Sequence, residues 1–214
     1  MKIVKNIVLG LIILVAVLAI IGLVALPKVS NVERSLVINA PAEVIFDQVN
    51  DLKKADVWSP WKDPTMKITF GPVTEGKGAT TSWESEQMGK GTQTIEESVP
   101  ASSIKIGLDF GSMGSAKALW AFTPEGDGVK VTETMVSDAG MNPIKRWMSL
   151  MSDKMVGPYF DKGLASLKQI SETRAAEIKA EQAATQQAAA AEAAPADAGA
   201  AAATPPVTPA AKAK

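Results

Sequence analysis

The chain of 214 residues contains neither cysteine nor histidine. Without cysteine there are no structural disulfides, thiol nucleophiles, cysteine-ligated iron–sulfur clusters or lipidated cysteine anchors, and the redox compartment stays undetermined. Without histidine there is no Ser-His-Asp triad and no imidazole to act as general acid or base, and an ordinary catalytic zinc site lacks its usual ligands. These two absences exclude many of the commonest classes of enzyme active site.

Blocks of like charge are also absent. The net charge is −1, whereas a nucleic-acid-binding domain usually carries a basic patch or stripe. No acidic cluster has the spacing of a calcium loop. The sequence GPVTEGKG at residues 71–78 approaches a phosphate-binding loop, but it ends in glycine where serine or threonine would bind magnesium. We therefore expect no nucleic-acid partner, no metal and no cofactor, and we predict a hairpin at 71–78.

Residues 7–26 form an apolar run of 20 residues without charge or proline. A helix of about 20 residues is about 30 Å long, which matches the hydrocarbon core of a bilayer. A cleaved signal peptide is the alternative, but its apolar region is usually only about 7 to 15 residues, and no convincing small-x-small site follows this run. Because Lys2 and Lys5 precede it, the positive-inside rule predicts a single-pass membrane protein with a cytoplasmic N-terminus and an extracytoplasmic domain, periplasmic or extracellular.

Hydrophobic periodicity predicts seven strands and several helices after this run. Residues 32–39 alternate as a strand, Pro41 begins a helix over 42–49, and a short helix or compact loop follows at 55–64. Six further strands are expected at 66–70, 79–84, 92–97, 103–110, 116–123 and 129–136, with the last two joined as a hairpin.

Apolar residues then recur at helical spacing from Asn142 to Ile170, which predicts one long C-terminal helix. We expect a kink or break at Gly157-Pro158, because proline removes a backbone donor and clashes with the preceding turn.

Four local motifs accompany this order of elements: VERSLVINAPAEVIF at 32–46, WSPWKDP at 58–64, GKGA at 76–79 before a strand with a tryptophan, and KMVGPYFDKGL at 154–164. Together they resemble the START-like (SRPBCC) superfamily, and specifically its polyketide cyclase/dehydrase-type branch. The resemblance covers about residues 32–170 and specifies the fold far better than the function.

The resemblance implies an α+β helix-grip fold. In this fold a curved antiparallel sheet of about six or seven strands wraps around a long C-terminal helix, here preceded by one transmembrane helix. In relatives the space between sheet and helix is an apolar cavity that holds lipids, sterols, polyketides or other hydrophobic molecules. Many relatives carry an aromatic residue on the last strand where this chain has Glu133, so the usual cavity lining changes at that point.

Glu133 shares one face of the predicted last strand with Val131 and Met135. If that face lines a cavity, burial raises the pKa of the carboxyl and suits it as a hydrogen-bond donor or general acid; the alternative is a wet position at the rim. Tyr159, the only tyrosine, is the second weak catalytic candidate. The predicted ligand-binding residues, any of which could instead be ordinary core, are Trp83, Trp120, Phe122, Glu133, Met135, Trp147, Met151 and Tyr159.

Two further features have structural interpretations. Trp58 and Trp61 are expected to brace the loop over the cavity mouth rather than contact the ligand. Glu96 and Glu97 are adjacent in one strand and so are predicted to lie on opposite faces, which excludes a catalytic carboxylate pair.

The predicted organisation has five parts: a cytoplasmic segment 1–6, the transmembrane helix 7–26, a linker 27–31, the START-like domain 32–172 and an Ala/Pro-rich tail 173–214. The last helix could extend as far as Gln187, and the tail beyond Pro195 is expected to be disordered because it cannot bury enough apolar surface.

The leading functional hypothesis is a non-catalytic, membrane-anchored domain that binds a small hydrophobic or amphipathic molecule, including lipid, in the cavity. Its partners are then the ligand and, through residues 7–26, the membrane. A cyclase- or hydratase-like enzyme that uses Glu133 is the second hypothesis. An envelope scaffold without ligand, with a protein partner that the sequence does not name, is the third.

Overall fold

The computed structural model describes residues 2–192. The elements follow the order expected for an α+β domain, with six consecutive strands between two groups of helices. They are α1 (Lys2–Ala25), β1 (Val29–Ile38), α2 (Ala42–Asn50), α3 (Leu52–Trp58), β2 (Lys67–Phe70), β3 (Thr80–Ser85), β4 (Gly89–Val99), β5 (Ser103–Asp109), a 3₁₀ turn (Gly111–Met113), β6 (Ser115–Glu125), β7 (Gly128–Asp138), α4 (Pro143–Ser149) and α5 (Ser152–Glu192).

Helix α1 is long and apolar enough to cross a membrane, with a mean hydropathy of 3.4 over its most apolar window. A signal sequence near the N-terminus can have the same length and composition. Almost all of its side chains are exposed; Gly22 is its only buried residue.

The seven strands form one curved antiparallel sheet in the order β1-β7-β6-β5-β4-β3-β2. Consecutive strands are neighbours except at one edge, where β1 pairs with β7 from Val29↔Asp138 to Ile38↔Val129. This pairing joins the two ends of the domain, and the long helix α5 follows it. The predicted helix-grip fold is confirmed.

One face of the sheet is buried, as the period of two requires. On β6 the residues Ala116, Ala118, Trp120 and Phe122 are buried, and the residues between them are exposed. The core forms where this face meets α2 and α5, and it includes Ile45, Val49, Leu164, Leu167, Ile38 and Val131. Burial of each such side chain stabilises the fold by about 1.5–3 kcal/mol before entropy is counted.

The predicted single C-terminal helix is in fact two helices. Asn142 caps α4 by accepting from the amides of Ile144 and Lys145, and the chain turns at Leu150 and Met151 before α5 begins. The expected break at Gly157-Pro158 was therefore misplaced. The turn comes earlier because α4 packs on α1, whereas α5 packs on the sheet.

Helix α5 runs through Pro158 without interruption. The helix tolerates this proline because only a single backbone hydrogen bond near one end is lost. Phe160, two residues later, is almost wholly buried and holds the helix in place. At its other end α5 reaches Glu192, beyond the expected limit at Gln187.

The prediction that Glu96 and Glu97 lie on opposite faces was wrong. A β-bulge shifts the register between Ile95 and Glu97, and an inserted residue interrupts the strict alternation of side chains. Both carboxylates consequently reach Lys105, whose Nζ lies 2.8 Å from Glu97 and 3.7 Å from Glu96. The pair is an ionic cluster on the outer face and not a catalytic dyad.

The chain divides into two units, residues 1–175 and the residues from 176 onward. Of the second unit, the structure describes the distal part of α5, an alanine-rich helix with mostly exposed side chains. The tail that was predicted to be disordered beyond Pro195 lies outside the described residues, and the domain boundary at 172 stays a prediction.

Ser171 on α5 is fully buried, and its hydroxyl has no hydrogen-bond partner. We expect Ser171→Ala to raise the free energy of unfolding by about 1 kcal/mol, because the variant no longer desolvates an unpaired hydroxyl and alanine favours the helix. Urea unfolding followed by tryptophan fluorescence measures this. Ser166→Ala on the same helix is the control, with a gain of only a few tenths of a kcal/mol from helix propensity. A loss of stability in Ser171→Ala would contradict the assignment.

Candidate functional site

A cavity of about 460 Å³ lies between the concave face of the sheet, α3 and the first turns of α5. Its volume falls within the range of small-molecule pockets, about 300–1,000 Å³. Most of the lining side chains are apolar, and they come from every strand except β1. They are Val49, Leu52, Ala55, Asp56, Trp58, Ser59, Pro60, Trp61, Met66, Ile68, Thr81, Trp83, Met88, Gln93, Ile106, Leu108, Phe110, Ala118, Trp120, Glu133, Met135, Val156, Phe160 and Gly163.

The structure brings four of the eight predicted ligand-binding residues to this cavity: Trp83, Trp120, Glu133 and Met135. All four lie on strands, where the alternation of side chains decides which face each residue occupies. Whether they contact a ligand stays a prediction.

The other four predicted residues lie outside the cavity lining. Phe122 packs edge-on against Phe46 in the core, with ring centroids 5.7 Å apart. Trp147 contacts α1, and Met151 is exposed at the turn between α4 and α5. Tyr159 stacks on Trp61 at a centroid distance of 4.3 Å. None of these four side chains lines the cavity.

The segment from Trp58 to Trp61 covers one side of the cavity, and both tryptophans contribute to the lining. Trp58 donates from Nε1 to the carbonyl of Gln48 at 3.0 Å and makes an edge contact with Trp120. Trp61 lies nearly parallel to the ring of Tyr159 on α5. These contacts brace the loop. Both tryptophans also line the cavity, where the sequence predicted that they would not contact a ligand, and that part stays a prediction.

Asp63 holds the end of this loop in place. This role of Asp63 was not predicted from the sequence. Its Oδ1 accepts from the amide and the hydroxyl of Thr65, and its other oxygen accepts from the hydroxyl of Ser85 on β3. The hydrogen bond from Ser85, with those from Thr65, lowers the pKa of Asp63. Asp-Pro-Thr is the pattern of an Asx turn, so a local signal for this anchor was present.

Glu133 is the only acidic residue on the sheet face that lines the cavity, and its side chain is 8% exposed. Burial raises the pKa of its carboxyl to about 8. No residue within 2–192 gives it a hydrogen bond or an ion pair. At neutral pH this carboxyl is therefore mostly protonated, and it can donate a hydrogen bond to a group inside the cavity.

Arg34 is the direct cross-strand neighbour of Glu133, but it does not neutralise it. The guanidinium turns instead to α5, where NH1 lies 2.8 Å from Asp153 and Nε lies 3.4 Å from Asp161. Gly157 lies between these aspartates on the helix face, and the absence of a Cβ leaves the space that the guanidinium occupies. Two carboxylates on α5 thus hold this cation, which makes no ion pair with Glu133.

A second polar position lies on the other side of the cavity. Thr81 on β3 is 5% exposed, and its hydroxyl has no hydrogen-bond partner. Gln93 on β4 is its cross-strand neighbour and also lines the cavity. Strands β4 and β7 are three strand spacings apart in the sheet order, about 14 Å across the sheet. Gln93 is in register with Ser137 on β7 rather than with Glu133, so the two polar positions are also offset along the strands, and the wall between them is mostly apolar.

The chemistry that the described part of this cavity offers centres on Glu133. Within residues 2–192 no cluster of three or more acidic side chains could hold a metal ion. A protonated carboxyl in a desolvated site can donate a hydrogen bond or a proton, but no second group lies within bonding distance of Glu133 to activate a nucleophile.

The family model described as "Polyketide cyclase / dehydrase and lipid transport" matches residues 30–172, more than half of the chain. The chain belongs to this family. Membership in the polyketide cyclase/dehydrase and lipid transport family suggests a ligand-binding or cyclase-like role, and it agrees with the resemblance found in the sequence motifs. No curated protein matches the chain.

Solved structures share the fold at low sequence identity. A protein of unknown function, SA2116 from Staphylococcus aureus, is 13% identical with a TM-score of 0.54, and the match covers 69% of this chain and 96% of SA2116. Protein CV1439 from Chromobacterium violaceum is 14% identical with a TM-score of 0.51, covering 67% and 98%. The di-domain ARO/CYC StfQ from the steffimycin biosynthetic pathway is 14% identical with a TM-score of 0.54, covering 70% and 52%. At these identities the likeness establishes the fold alone.

The raised pKa of Glu133 predicts a specific pH dependence of stability. The folded protein holds a proton on Glu133 up to a pKa of about 8, whereas the unfolded chain releases it near 4.5, so this group lowers the stability as the pH rises between the two values. Glu133→Gln cannot ionise. We expect its free energy of unfolding to exceed that of the wild type by a margin that grows with pH, to a few kcal/mol above pH 8. Urea titrations at several pH values measure the difference, with Glu125→Gln on the exposed hairpin as control. A margin independent of pH would refute the assignment.

The position of Arg34 predicts a second effect on the same group. Asp153→Ala with Asp161→Ala removes both carboxylate partners of the guanidinium and leaves only its hydrogen bond to the carbonyl of Glu33, so the side chain can then turn toward its cross-strand neighbour Glu133. We expect the pKa of Glu133 to fall by one unit or more, because an adjacent cation favours the carboxylate. Carboxyl-carbon NMR titration measures this, and Asp127→Ala serves as control. An unchanged pKa would show that Arg34 has no such influence.

Proposed function

We propose that this member of the family is a membrane-anchored domain that binds a small amphipathic molecule of the lipid type in its internal cavity, without catalysis. The observation that carries the proposal is an apolar cavity with unpartnered polar side chains, Glu133 and Thr81, directed into it. A buried polar group without a partner costs about 1–3 kcal/mol. A ligand with matching polar groups recovers this cost, whereas a pure hydrocarbon does not.

The two polar positions indicate the kind of molecule. A protonated Glu133 donates to an ester, carbonyl or hydroxyl oxygen, and Thr81 with Gln93 offers both donors and acceptors at the other position. The wall between them includes Ile106 and Leu108, which suit an apolar chain or ring system. A molecule with an apolar middle and polar groups toward two ends fits this distribution.

The anchor part of the proposal rests on α1. Its length and composition suit a single span, and Lys2 and Lys5 at its start favour a cytoplasmic N-terminus. A domain held at a bilayer surface meets lipid at high local concentration, which is why lipid is preferred to other hydrophobic ligands. The intact mass of protein purified from membranes separates an uncleaved anchor from a cleaved signal sequence.

A cyclase- or hydratase-like reaction is the second candidate, because a carboxyl with a pKa of about 8 in a desolvated cavity is suited to general acid catalysis near neutral pH. Here Glu133 would protonate a carbonyl or hydroxyl oxygen of a substrate in the cavity. Glu133→Gln would then abolish turnover while leaving binding nearly intact. Unchanged turnover in that variant removes Glu133 from any mechanism.

The binding proposal is tested by filling the cavity. Ala118 on β6 lines the cavity, and Ala121 on the same strand faces outward. We expect Ala118→Phe to weaken binding of a fluorescent fatty-acid analogue at least tenfold and to reduce the lipid that co-purifies with the full chain, because the ring occupies ligand space. Ala121→Phe should bind as the wild type does. Fluorescence titration and native mass spectrometry measure both.

Equal binding in the two variants would place the probe outside the cavity. A wild-type protein that carries no lipid and binds no hydrophobic probe would overturn the binding proposal and favour the envelope scaffold, whose protein partner crosslinking in intact cells would reveal.

A further inference from the structure

A cluster of uncovered apolar side chains lies next to α1. Of the fourteen large apolar residues that are exposed after residue 28 in the described part of the chain, seven lie between residues 141 and 155. Six of them form what we call the methionine-rich face, and each is 55–70% exposed: Met141, Ile144, Met148, Leu150, Met151 and Met155. A soluble surface rarely concentrates apolar groups in this way unless something covers them.

The residue that holds this face against α1 is Arg146. It is 2% exposed, and its NH1 donates to the carbonyl of Leu23 at 2.5 Å and to that of Leu26 at 3.2 Å. These carbonyls lie at the C-terminal end of α1, where backbone acceptors have no partner within the helix and a cation is favoured. A second donor of the guanidinium, Nε, bonds the carbonyl of Gly140 at 2.8 Å.

Trp147 and Gly22 provide a second attachment. The indole Nε1 of Trp147 donates to the carbonyl of Leu18 at 3.0 Å. Gly22 faces this ring so closely that a Cβ would lie 2.9 Å from Nε1, and it also faces Pro143. The small residue therefore permits α4 to contact the backbone of α1.

These contacts determine the depth of α4 relative to the apolar helix. The attachment extends from Leu18 to the end of α1 at Ala25, which is about 10 Å of helix rise. Interfacial helices bury their apolar face about 5–10 Å into the boundary between headgroups and acyl chains, and tryptophan is enriched at that level. If α1 spans a bilayer, α4 lies at that depth.

We propose that the methionine-rich face lies in the membrane, at the boundary between lipid headgroups and acyl chains, and that the occupant of this surface is the bilayer itself. The inference rests on the proposed membrane anchor and extends it. The domain is not connected to the bilayer by a flexible linker alone but contacts it through α4 and the first turn of α5. Continuity with α1 favours lipid over a protein partner, because any bilayer that surrounds the end of α1 also surrounds α4.

This docking has a consequence for the cavity. Met155, the last residue of the face, is followed directly by Val156, which lines the cavity. The helix turn that bounds the cavity therefore begins at the membrane surface, where a lipid ligand would enter or leave.

The absence of cysteine allows a direct test on the full chain, because each introduced cysteine is unique. Spin labels at Ile144→Cys and Met148→Cys report the face. Val15→Cys in the middle of α1 reports the anchor, and Asp127→Cys reports the far end of β7, about 35 Å along the strand from α4. The protein is reconstituted into mixed phosphatidylcholine and phosphatidylglycerol vesicles, and collisions with oxygen and with a water-soluble nickel complex are measured.

We expect labels at 144, 148 and 15 to collide more with oxygen than with the nickel complex, and the label at 127 to show the reverse. Nickel-dominated collisions at both 144 and 148, with an oxygen-dominated label at 15, would overturn this inference and leave the anchor intact. A nickel-dominated label at 15 would overturn the anchor and this inference together. Labels at 144 and 148 shielded from both reagents would show a protein contact, a second copy or another chain, and would also overturn the inference.

Discussion

The fold depends on the packing of α5 against the concave face of the sheet. This packing is close along only part of the helix. Leu164 and Leu167 are almost fully buried and close the core with α2 and the neighbouring strands. Val156 and Gly163 on the same helix line the cavity instead. Because a curved sheet and a straight helix can touch closely over only part of their length, the same interface supplies both stability and a space for a ligand.

The electrostatics of the cavity follow from that interface. Glu133 occupies a strand position that faces inward, and the nearest cation in the register, Arg34, is held by carboxylates on α5. The domain thus buries a carboxyl without an ion pair. Because an unpaired carboxylate in a desolvated site costs more free energy than a neutral carboxyl, the protonated form is favoured. A core built only for stability would carry an aliphatic or aromatic residue here.

The strands and their order could be predicted well, because alternation over β6 and β7 and the turn at Gly126 are local signals. The same alternation placed Glu133 on one face with Val131 and Met135, but it left open whether that face lines a cavity or lies at a wet rim. Two predictions failed where a local rule was interrupted by packing: the bulge at Glu96 places two neighbouring carboxylates on one face, and the turn at Leu150 precedes the proline expected to cause it. Neither a bulge nor the docking of α4 on α1 has a signature within a few residues.

By itself the sequence determined the apolar helix, the helix-grip fold and the absence of thiol and imidazole chemistry, because hydrophobic period, motif order and composition are properties of the chain alone. Only the tertiary structure decided which side chains share the cavity. Trp83 and Met135 line it, whereas Trp147 and Tyr159 have other partners. The reason is that periodicity assigns a residue to a face of its element, but the length over which two elements touch depends on the curvature of the sheet and on contacts between residues far apart in the chain.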